Sequence, residues 1–151
     1  MTHLKAGDKA PDFSANDQDG NTISLSDYKG KKLVLFFYPK ASTPGCTVEA
    51  CNLNDNYSKF TKQGYDILGV SADSQKRQSN FKNKYDFAYP LLADEDKAVI
   101  EAYSVWGPKK FMGREYDGIH RTTFVIDENG VIEDVIKKVK TKAHTDQILS
   151  E

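Results

Sequence analysis

Two continuous apolar runs, separated by a helical pattern, constrain the fold of this chain most strongly. Residues 32–38 are KLVLFFY, and residues 65–72 are YDILGVSA. Runs without polar alternation are typical of strands that are covered on both faces in a parallel sheet. The intervening positions 44–63 have a helical pattern, which Gly64 ends. This strand–helix–strand order predicts an α/β layered fold, with helices flanking a central sheet.

Shorter elements complete the predicted fold. A turn at 19–21 separates two short alternating stretches at 12–15 and 22–25, which predicts an N-terminal β-hairpin. Asp73 is a candidate N-cap for the helix that follows it. The chain has 151 residues and no low-complexity linker, so we expect a single domain over residues 1–151. The remaining predicted elements are helices at 74–85 and 96–103, strands at 89–93, 122–127 and 131–139, and a final helix that begins near 142.

Charge and hydropathy exclude several functional classes. The 21 Lys and Arg residues nearly balance the 22 Asp and Glu residues, which is unlike the basic excess of a nucleic-acid binder. The N-terminal sequence MTHLKAGDKAPDF has no apolar signal segment, and the longest apolar run is too short to span a bilayer. We therefore expect a cytoplasmic protein without a membrane or nucleic-acid partner. His3, His120 and His144 do not have the spacing of a metal site.

The segment 38–51, YPKASTPGCTVEAC, holds both cysteines of the chain. Pro39 ends the buried strand, because it cannot donate to a central ladder. Thr43 is a plausible N-cap ahead of a proline, and Gly45 lets another group approach the backbone closely. Cys46 then lies in the first helical turn, where free backbone N–H groups and the helix dipole favour a thiolate over a thiol. This position predicts a nucleophilic cysteine.

Cys51 lies deeper in the same predicted helix, five positions after Cys46. In an intact helix, residues i and i+5 have Cα atoms roughly 8.7 Å apart on different faces. A disulfide needs roughly 4.4–6.8 Å, so this pair bonds only if the helix unwinds locally. Structural disulfides are unusual in a reducing compartment. The two residues are therefore either redox-active thiols or small buried hydrophobic residues that share a helix.

Pro39, Thr43 and Cys46 match the Pro-x-x-x-Thr-x-x-Cys motif of peroxiredoxins, which are thiol peroxidases with a thioredoxin-like fold. The longer segment YPKASTPGCTVEAC resembles the bacterioferritin comigratory protein, or Q-type, subfamily, in which the resolving cysteine lies five residues after the peroxidatic one. The segment 105–127, VWGPKKFMGREYDGIHRTTFVID, resembles the same subfamily. The resemblance implies a thioredoxin-like α/β fold with a central mixed β-sheet, flanking helices and the N-terminal β-hairpin.

The resemblance also implies a role for each candidate residue. Cys46 is the expected peroxidatic thiolate, and Cys51 is the expected resolving thiol of an intrachain disulfide. Thr43 is expected to hold the peroxide or the thiolate, Pro39 to shield the site from water, and Arg121 to stabilise the thiolate and the charge that develops on the peroxide. The expected substrates are hydrogen peroxide and organic hydroperoxides, and the expected reductant is thioredoxin or a similar dithiol. The implied enzyme is a monomer that requires no metal, haem or flavin cofactor.

Several assignments stay open at this stage. Glu49, one helical turn beyond the first cysteine, either hydrogen-bonds near the arginine or complements the helix N-terminus. Phe37, Trp106 and Phe111 either line an apolar collar around the thiol or belong to the core. Two other functions would use the same cysteine pair. One is a thioredoxin-like disulfide reductase, which the absence of a Cys-x-x-Cys motif disfavours, and the other is a redox-sensing or holdase-like binding protein.

Overall fold

The central layer of the molecule is a five-stranded mixed sheet, seen in a computed structural model that describes residues 2–149. Positions 1, 150 and 151 of the predicted domain lie outside the described residues. The strands are β1 (Ser14–Asn16), β2 (Thr22–Ser24), β3 (Lys32–Phe37), β4 (Tyr65–Ser71), β5 (Leu91–Ala93), β6 (Trp106–Phe111), β7 (Arg114–Ile119), β8 (Thr122–Ile126) and β9 (Ile132–Ile136). The helices are α1 (Pro44–Asp55), α2 (Tyr57–Lys62), α3 (Gln75–Tyr85), α4 (Ala98–Ala102) and α5 (His144–Leu149), with 3-10 turns at Leu25–Tyr28 and Thr141–Ala143.

The order of the strands in the central sheet is β5-β4-β3-β8-β9. Strands β3, β4 and β5 run parallel, and Val34 of β3 lies beside Ile67 of β4. Strands β8 and β9 are antiparallel additions, and Val34 also pairs with Val125 of β8. Strands β1 and β2 form the separate N-terminal hairpin. The predicted thioredoxin-like α/β fold, with a mixed sheet, flanking helices and an N-terminal hairpin, is confirmed.

Strand β3 contributes to a core on each face of the sheet, which explains its lack of polar alternation. Leu33 and Phe37 enter the cluster that includes residues of α4. Val34 and Phe36 enter the opposite cluster, which includes Cys46 and other residues of α1, α2 and α3. Full burial of such side chains stabilises the fold by about 1.5–3 kcal/mol each. The sheet therefore fixes α1 on one face, and with it the first cysteine.

The predicted helix at 44–63 is two helices in the structure. Helix α1 ends at Asp55, and Asn56 (φ −110°, ψ 15°) separates it from α2. The side-chain amide of Asn56 donates a hydrogen bond to the carbonyl oxygen of Asn52, 2.8 Å away. Asparagine bonds of this kind compete with the helical backbone pattern, and the break follows from that competition.

The N-cap of α3 is Ser74, and the prediction of Asp73 was wrong. The hydroxyl oxygen of Ser74 accepts a hydrogen bond from the backbone N–H of Arg77 at 3.2 Å. The Oδ2 atom of Asp73 instead accepts from the backbone N–H of Ala41 at 2.7 Å and from the hydroxyl of Ser71 at 2.6 Å. The carboxylate of Asp73 therefore fixes the loop after β3, next to the start of α1.

Strands β6 and β7 form a two-stranded ribbon that was not predicted from the sequence. Met112 (φ 51°) and Gly113 (φ 80°) make its two-residue turn, and positive φ at both positions suits a tight hairpin. Most of its side chains are exposed, so its strands lack the apolar alternation that signals a half-buried strand. At its base, the N–H of His120 donates to the carbonyl oxygen of Val105 at 2.7 Å. This bond positions the next residue, Arg121, at the edge of β8.

The other predicted elements are present with somewhat different boundaries. Strand β5 covers only Leu91–Ala93 of the predicted 89–93, and the preceding Pro90 lacks the N–H that a ladder position uses. The final helix α5 follows a 3-10 turn at Thr141–Ala143, close to the predicted start near 142. Among residues 2–149, none of the helices is long and apolar enough to cross a membrane.

Candidate active site

The start of α1 places the side chain of Cys46. Pro44 is the first helical residue, and Thr43 takes the extended N-cap position (φ −84°, ψ 156°). Cys46 is therefore the third residue of the helix, and its side chain is buried. The first intrahelical donor is the N–H of Thr47, which donates to the carbonyl oxygen of Thr43 at 2.9 Å. The N–H groups of Gly45 and Cys46 precede it and have no intrahelical acceptor, so they are available to stabilise an anion. The predicted placement of Cys46 in the first turn is confirmed.

The hydroxyl of Thr43 closes the loop ahead of the helix. It donates a hydrogen bond to the carbonyl oxygen of Lys40 at 2.8 Å, and it does not cap a helix N–H. Ser42, within the same loop, adopts a left-handed φ of 63°, a conformation that costs a non-glycine residue about 1–3 kcal/mol. Because the Thr43 hydroxyl donates its proton to the carbonyl oxygen of Lys40, its oxygen remains available to accept a further hydrogen bond.

Arg121 joins the sulfur of Cys46 to a buried carboxylate. Its Nη2 atom lies 3.4 Å from Cys46 Sγ, and its Nη1 atom lies 2.6 Å from Glu49 Oε1. Burial opposes the guanidinium charge, but Glu49 and Cys46 together hold the pKa of Arg121 above its usual value. A Cβ atom on Gly45 would lie 3.3 Å from Nη2, so the glycine provides the room for this approach.

Glu49 lies on the buried face of α1, and its side chain is fully buried. Burial raises the pKa of its carboxyl group to about 7, and the neighbouring Arg121 opposes that rise. Its second oxygen, Oε2, has no hydrogen-bond partner among residues 2–149. Nε2 of His144 lies 3.5 Å from this oxygen. Of the two roles left open for Glu49, the structure supports hydrogen bonding to the active-site arginine.

Cys51 has a different environment in the same helix. It is half-buried, and both cysteines are free thiols within an unbroken α1. Burial raises the pKa of Cys51, and the negative charge of Asp55 adds to the effect. The folded helix therefore keeps Cys51 as a thiol, whereas Cys46 is in contact with a cation.

An open groove lies between the active-site loop and the β6–β7 ribbon. Pro39, Trp106, Lys109 and Tyr116 are among the residues that line it. Of the aromatic residues considered for a collar, Trp106 faces this groove. Phe37 belongs to the core, and Phe111 is exposed near the tip of the ribbon.

The three histidines have separate surroundings. His3 is exposed, the ring of His120 contacts the carbonyl oxygen of Pro108 at 2.9 Å, and His144 is fully buried near Glu49. Within the part of the chain that the structure describes, no group of three or more His, Cys, Asp or Glu side chains could hold a metal ion. Sequence spacing gave no signal for the contact between His144 and Glu49, because it is made only when α5 packs on α1.

The fold and this site agree with a family comparison. Residues 6–135 match the model of the AhpC/TSA family. The chain therefore belongs to the AhpC/TSA family. The solved structures that resemble it are peroxiredoxins with a thioredoxin-like fold.

Individual relatives narrow the assignment. The chain is 50% identical to peroxiredoxin Bcp of Escherichia coli over 150 residues, which cover 99% of this chain and 96% of that protein. A mutant of PrxQ from Xylella fastidiosa has a TM-score of 0.92 and 31% identity, with coverage of 99% and 95% of the two chains. The bacterioferritin comigratory protein of Xanthomonas campestris has a TM-score of 0.85 and 38% identity, with coverage of 91% and 88%. That structure concerns the relative's alkyl peroxide reduction activity.

Within its family, the chain groups with the Bcp, or Q-type, peroxiredoxins, and it is a thiol peroxidase. The predicted subfamily and enzyme class are confirmed. Of the three functions that the cysteine pair left open, these relatives support the peroxidase, not the disulfide reductase or the redox-sensing binding protein.

Proposed function

We propose that Cys46 is the peroxidatic nucleophile of this enzyme and that Arg121 stabilises its thiolate. The observation that carries the proposal is the 3.4 Å contact between Arg121 Nη2 and Cys46 Sγ. A guanidinium at this distance favours the charged form of the sulfur, and the first-turn N–H groups of α1 act in the same direction. Cys51 lies next to a negative charge from Asp55 instead. The environments of the two thiols therefore suit different roles.

In the proposed reaction, the thiolate of Cys46 attacks one oxygen of a hydroperoxide and the O–O bond breaks. Cys46 becomes a sulfenic acid, and the leaving hydroxide or alkoxide takes a proton from solvent. Negative charge develops on the departing oxygen. Arg121 and the backbone N–H of Cys46 are proposed to donate hydrogen bonds to the peroxide oxygens as this happens, and the hydroxyl oxygen of Thr43 is proposed to accept one from the O–H of the hydroperoxide. Pro39, half-buried at the groove, is proposed to limit the access of water to the sulfur.

Cys51 is proposed to resolve the sulfenic acid. Its thiol condenses with the Cys46 sulfenic acid, which forms an intrachain disulfide and releases water. The Cα atoms of the two residues are roughly 8.7 Å apart in an ideal helix. Since this separation is too long for a disulfide, α1 must unwind locally before the bond forms. A dithiol such as thioredoxin then restores both thiols by exchange.

The substrates, the oligomeric state and the cellular location are also proposals. Organic hydroperoxides are proposed as substrates together with hydrogen peroxide, and support comes from the open groove beside the loop and from the alkyl peroxide reduction of the Xanthomonas relative. We propose that residues 1–151 act as one domain and as a monomer, because both thiols lie in one helix of one chain. A cytoplasmic location is proposed because dithiol reductants maintain thiols there.

Rapid mixing of the reduced protein with one equivalent of peroxide tests the roles of the two cysteines. Cys46→Ser should lose rapid consumption by roughly three orders of magnitude, to the level of an ordinary thiol. Cys51→Ser should react at the wild-type rate, but mass spectrometry should show sulfenic acid and then sulfinic acid with excess peroxide. Rapid consumption by Cys46→Ser would contradict the assignment of the nucleophile. If the wild-type protein forms no Cys46–Cys51 disulfide after peroxide addition, the proposed role of Cys51 is contradicted.

A further inference from the structure

The C-terminal helix brings a second buried titratable group to the back of the active site. His144 opens α5, and its ring is fully buried. Its Nε2 atom lies 3.5 Å from Glu49 Oε2, and the other carboxyl oxygen of Glu49 binds Arg121. A continuous line of polar side chains therefore runs from Cys46 through Arg121 and Glu49 to His144.

The side chain of Gln147 determines the tautomer of His144. Gln147 Nε2 donates to the carbonyl oxygen of Lys138 at 2.9 Å, and its Oε1 accepts from the N–H of Lys140 at 2.8 Å. These two bonds fix the orientation of the amide. His144 Nδ1 lies 2.8 Å from the same Oε1, so Nδ1 must carry a proton. The atom of the ring that gains or loses a proton is therefore Nε2.

Glu49 Oε2 lies 3.5 Å from the one ring nitrogen of His144 that can gain or lose a proton. The hydroxyl of Thr123 lies 2.7 Å from Nε2, and it donates to a neutral ring or accepts from a charged one. Glu49 Oε2 receives no hydrogen bond from any residue in the range 2–149. A proton on Oε2 points to the neighbouring Nε2, whereas a proton on Nε2 is donated to the Thr123 hydroxyl and places the imidazolium charge 3.5 Å from the Glu49 carboxylate, so one proton on either group balances the charge of the pair. Burial raises the pKa of Glu49 to about 7 and lowers the pKa of His144, so the site disfavours an isolated charge on either group.

We propose that Glu49 and His144 share one proton in the reduced, folded enzyme, and that His144 is thereby a positioning residue that controls how strongly Arg121 acts on Cys46. With the shared proton, the pair has no net charge, and the cation of Arg121 faces the thiolate. Without the shared proton, the pair carries one negative charge, which attracts the Arg121 guanidinium on the side away from Cys46 and weakens its effect on the thiolate. The inference rests on the proposed role of Cys46, and it predicts that peroxide attack slows when the shared proton is lost.

Other charged and titratable groups lie on the elements around the line of side chains from Cys46 to His144. Arg121 precedes β8 and stays cationic, and Cys46 lies on α1. Lys109, on β6, interacts with Arg121 and Cys46, and burial lowers its pKa. Tyr38 follows β3 and Tyr89 precedes β5, and burial raises the pKa of both phenols well above their usual value, which keeps them neutral. Because Lys109 and Cys46 also interact with Arg121, the contribution of the pair must be isolated by substitution.

Long-range proton–nitrogen NMR of the His144 ring tests the shared proton. The measurement uses Cys46→Ser protein, so that its outcome is independent of thiol oxidation, and His3→Asn and His120→Asn versions assign the ring signals. We expect Nδ1 to stay protonated from about pH 5.5 to 8.5 while Nε2 titrates together with the carboxyl carbon of Glu49. In Glu49→Gln, the midpoint of the His144 titration should fall by roughly one pH unit or more, because the carboxylate that shares the proton is gone.

Stopped-flow peroxide consumption tests the effect on Cys46. After correction for thiolate formation, the rate of the wild type should fall roughly 3- to 10-fold between about pH 6.5 and 8.5. Glu49→Gln keeps an amide oxygen for Arg121 but cannot ionise, so it should lose this fall. His144→Asn keeps an N–H for Gln147 but has no atom at Nε2, so the fall should move to lower pH. His3→Asn, at an exposed position, is the matched histidine control and should keep the wild-type profile.

Each result can overturn the inference. Titration midpoints of His144 and Glu49 that do not respond to substitution of the other residue would contradict the shared proton. An alkaline fall in rate that persists in Glu49→Gln would contradict the effect on Cys46. Neither result affects the assignment of the nucleophile, which fails only if Cys46→Ser keeps rapid attack. Glu49→Gln preserves the size of the side chain, so it decides the question even if His144→Asn does not fold.

Discussion

At the scale of single residues, the surroundings of each sulfur distinguish two cysteines of one helix. Only Cys46 has a guanidinium in contact, with Arg121 Nη2 at 3.4 Å. The absence of a side chain on Gly45 permits this approach, and Glu49 holds the other end of the guanidinium at 2.6 Å. Cys51, by contrast, has a raised pKa because of burial. The two thiols therefore differ in their charged surroundings, and on this ground we expect Cys46 to be the reactive one.

Substitution of Arg121 tests this distinction. Arg121→Ala should slow peroxide attack roughly 100-fold or more, because it removes both the cation beside the thiolate and a donor to the departing oxygen. Arg121→Lys should recover only part of the loss, since a lysine cannot bind Glu49 and Cys46 as a planar fork. Stopped-flow rates across pH measure the effect. Arg114→Ala, at an exposed position of the ribbon, is the control, and an equal loss in both variants would contradict the role of Arg121.

The sequence located some of these residues and not others. Cys46 and Arg121 were predicted because a local motif and a resemblance identify them. Glu49 was identified only as one of two alternatives, because its position one turn after Cys46 fixes the helix face but not the partner. Nothing in the sequence around His144 indicated a contact with the active site. Its contact joins residues 95 positions apart, and it depends on the docking of α5 onto α1.

At the scale of elements, the proposed cycle requires α1 to hold Cys46 in place and then to unwind so that Cys51 can reach it. Asn52, next to Cys51, attaches the helix to the C-terminal segment. Its Nδ2 donates to the carbonyl oxygen of Lys142 at 3.1 Å, and its Oδ1 accepts from the N–H of Thr145 at 2.8 Å. The hydroxyl of Tyr89 donates to the carbonyl oxygen of Ala50 at 2.7 Å, between the two cysteines. These bonds oppose the unwinding of α1.

Removal of one attachment should speed the resolving step. Asn52→Ala loses two side-chain hydrogen bonds, each of which contributes roughly 0.5–1.5 kcal/mol to the folded helix. If unwinding limits resolution, we expect disulfide formation after peroxide addition to accelerate roughly 5- to 30-fold, while the initial attack changes little. Quenched-flow thiol alkylation measures this step. Asn83→Ala is the control, because the side-chain amide of Asn83 donates to the hydroxyl of Ser79 within the same helix, α3. Slower resolution in Asn52→Ala would contradict the account.

The predictability of the elements follows from burial. Strands β3 and β4 were predicted well because both of their faces are covered, so their apolar runs are continuous. The β6–β7 ribbon was not predicted because its exposed side chains impose no apolar pattern. The break at Asn56 was also missed, since it depends on a side-chain bond to Asn52 rather than on a proline or glycine.

At the scale of the whole molecule, the site is assembled from segments that are distant in the chain. Helix α1 supplies Cys46 and Glu49, the end of the ribbon supplies Arg121, and α5 supplies His144. The central sheet holds these parts together, because β3 leads into the active-site loop and β8 begins directly after Arg121. The protonation of the buried pair is therefore linked to the stability of the fold.

The pH dependence of unfolding tests this linkage. In the unfolded chain, Glu49 and His144 titrate near 4.5 and 6.5, so together they hold one proton between these pH values. A folded pair that also holds one proton leaves the free energy of unfolding independent of pH in this range. In Glu49→Gln, burial keeps the folded His144 neutral, whereas the unfolded imidazole is protonated below 6.5. The unfolded state then binds more protons, so the variant loses stability as pH falls, by up to about 1.4 kcal/mol per pH unit.

Urea unfolding of both proteins at several pH values between about 5 and 7 measures this difference. The free energy of unfolding of Glu49→Gln, relative to the wild type, should decrease as the pH is lowered through this interval. Parallel curves for the two proteins would contradict the linkage, because groups elsewhere in the molecule contribute equally to both.

The most direct test of the central claim combines a disulfide map with hydrogen exchange after one equivalent of peroxide. The account predicts a Cys46–Cys51 disulfide within a single chain, together with loss of amide protection over Pro44–Asp55 and retained protection in β3 and β4. Reduction by a dithiol should restore the protection of the helix. A disulfide between two chains, or a persistent Cys46 sulfenic acid beneath a fully protected α1, would contradict it.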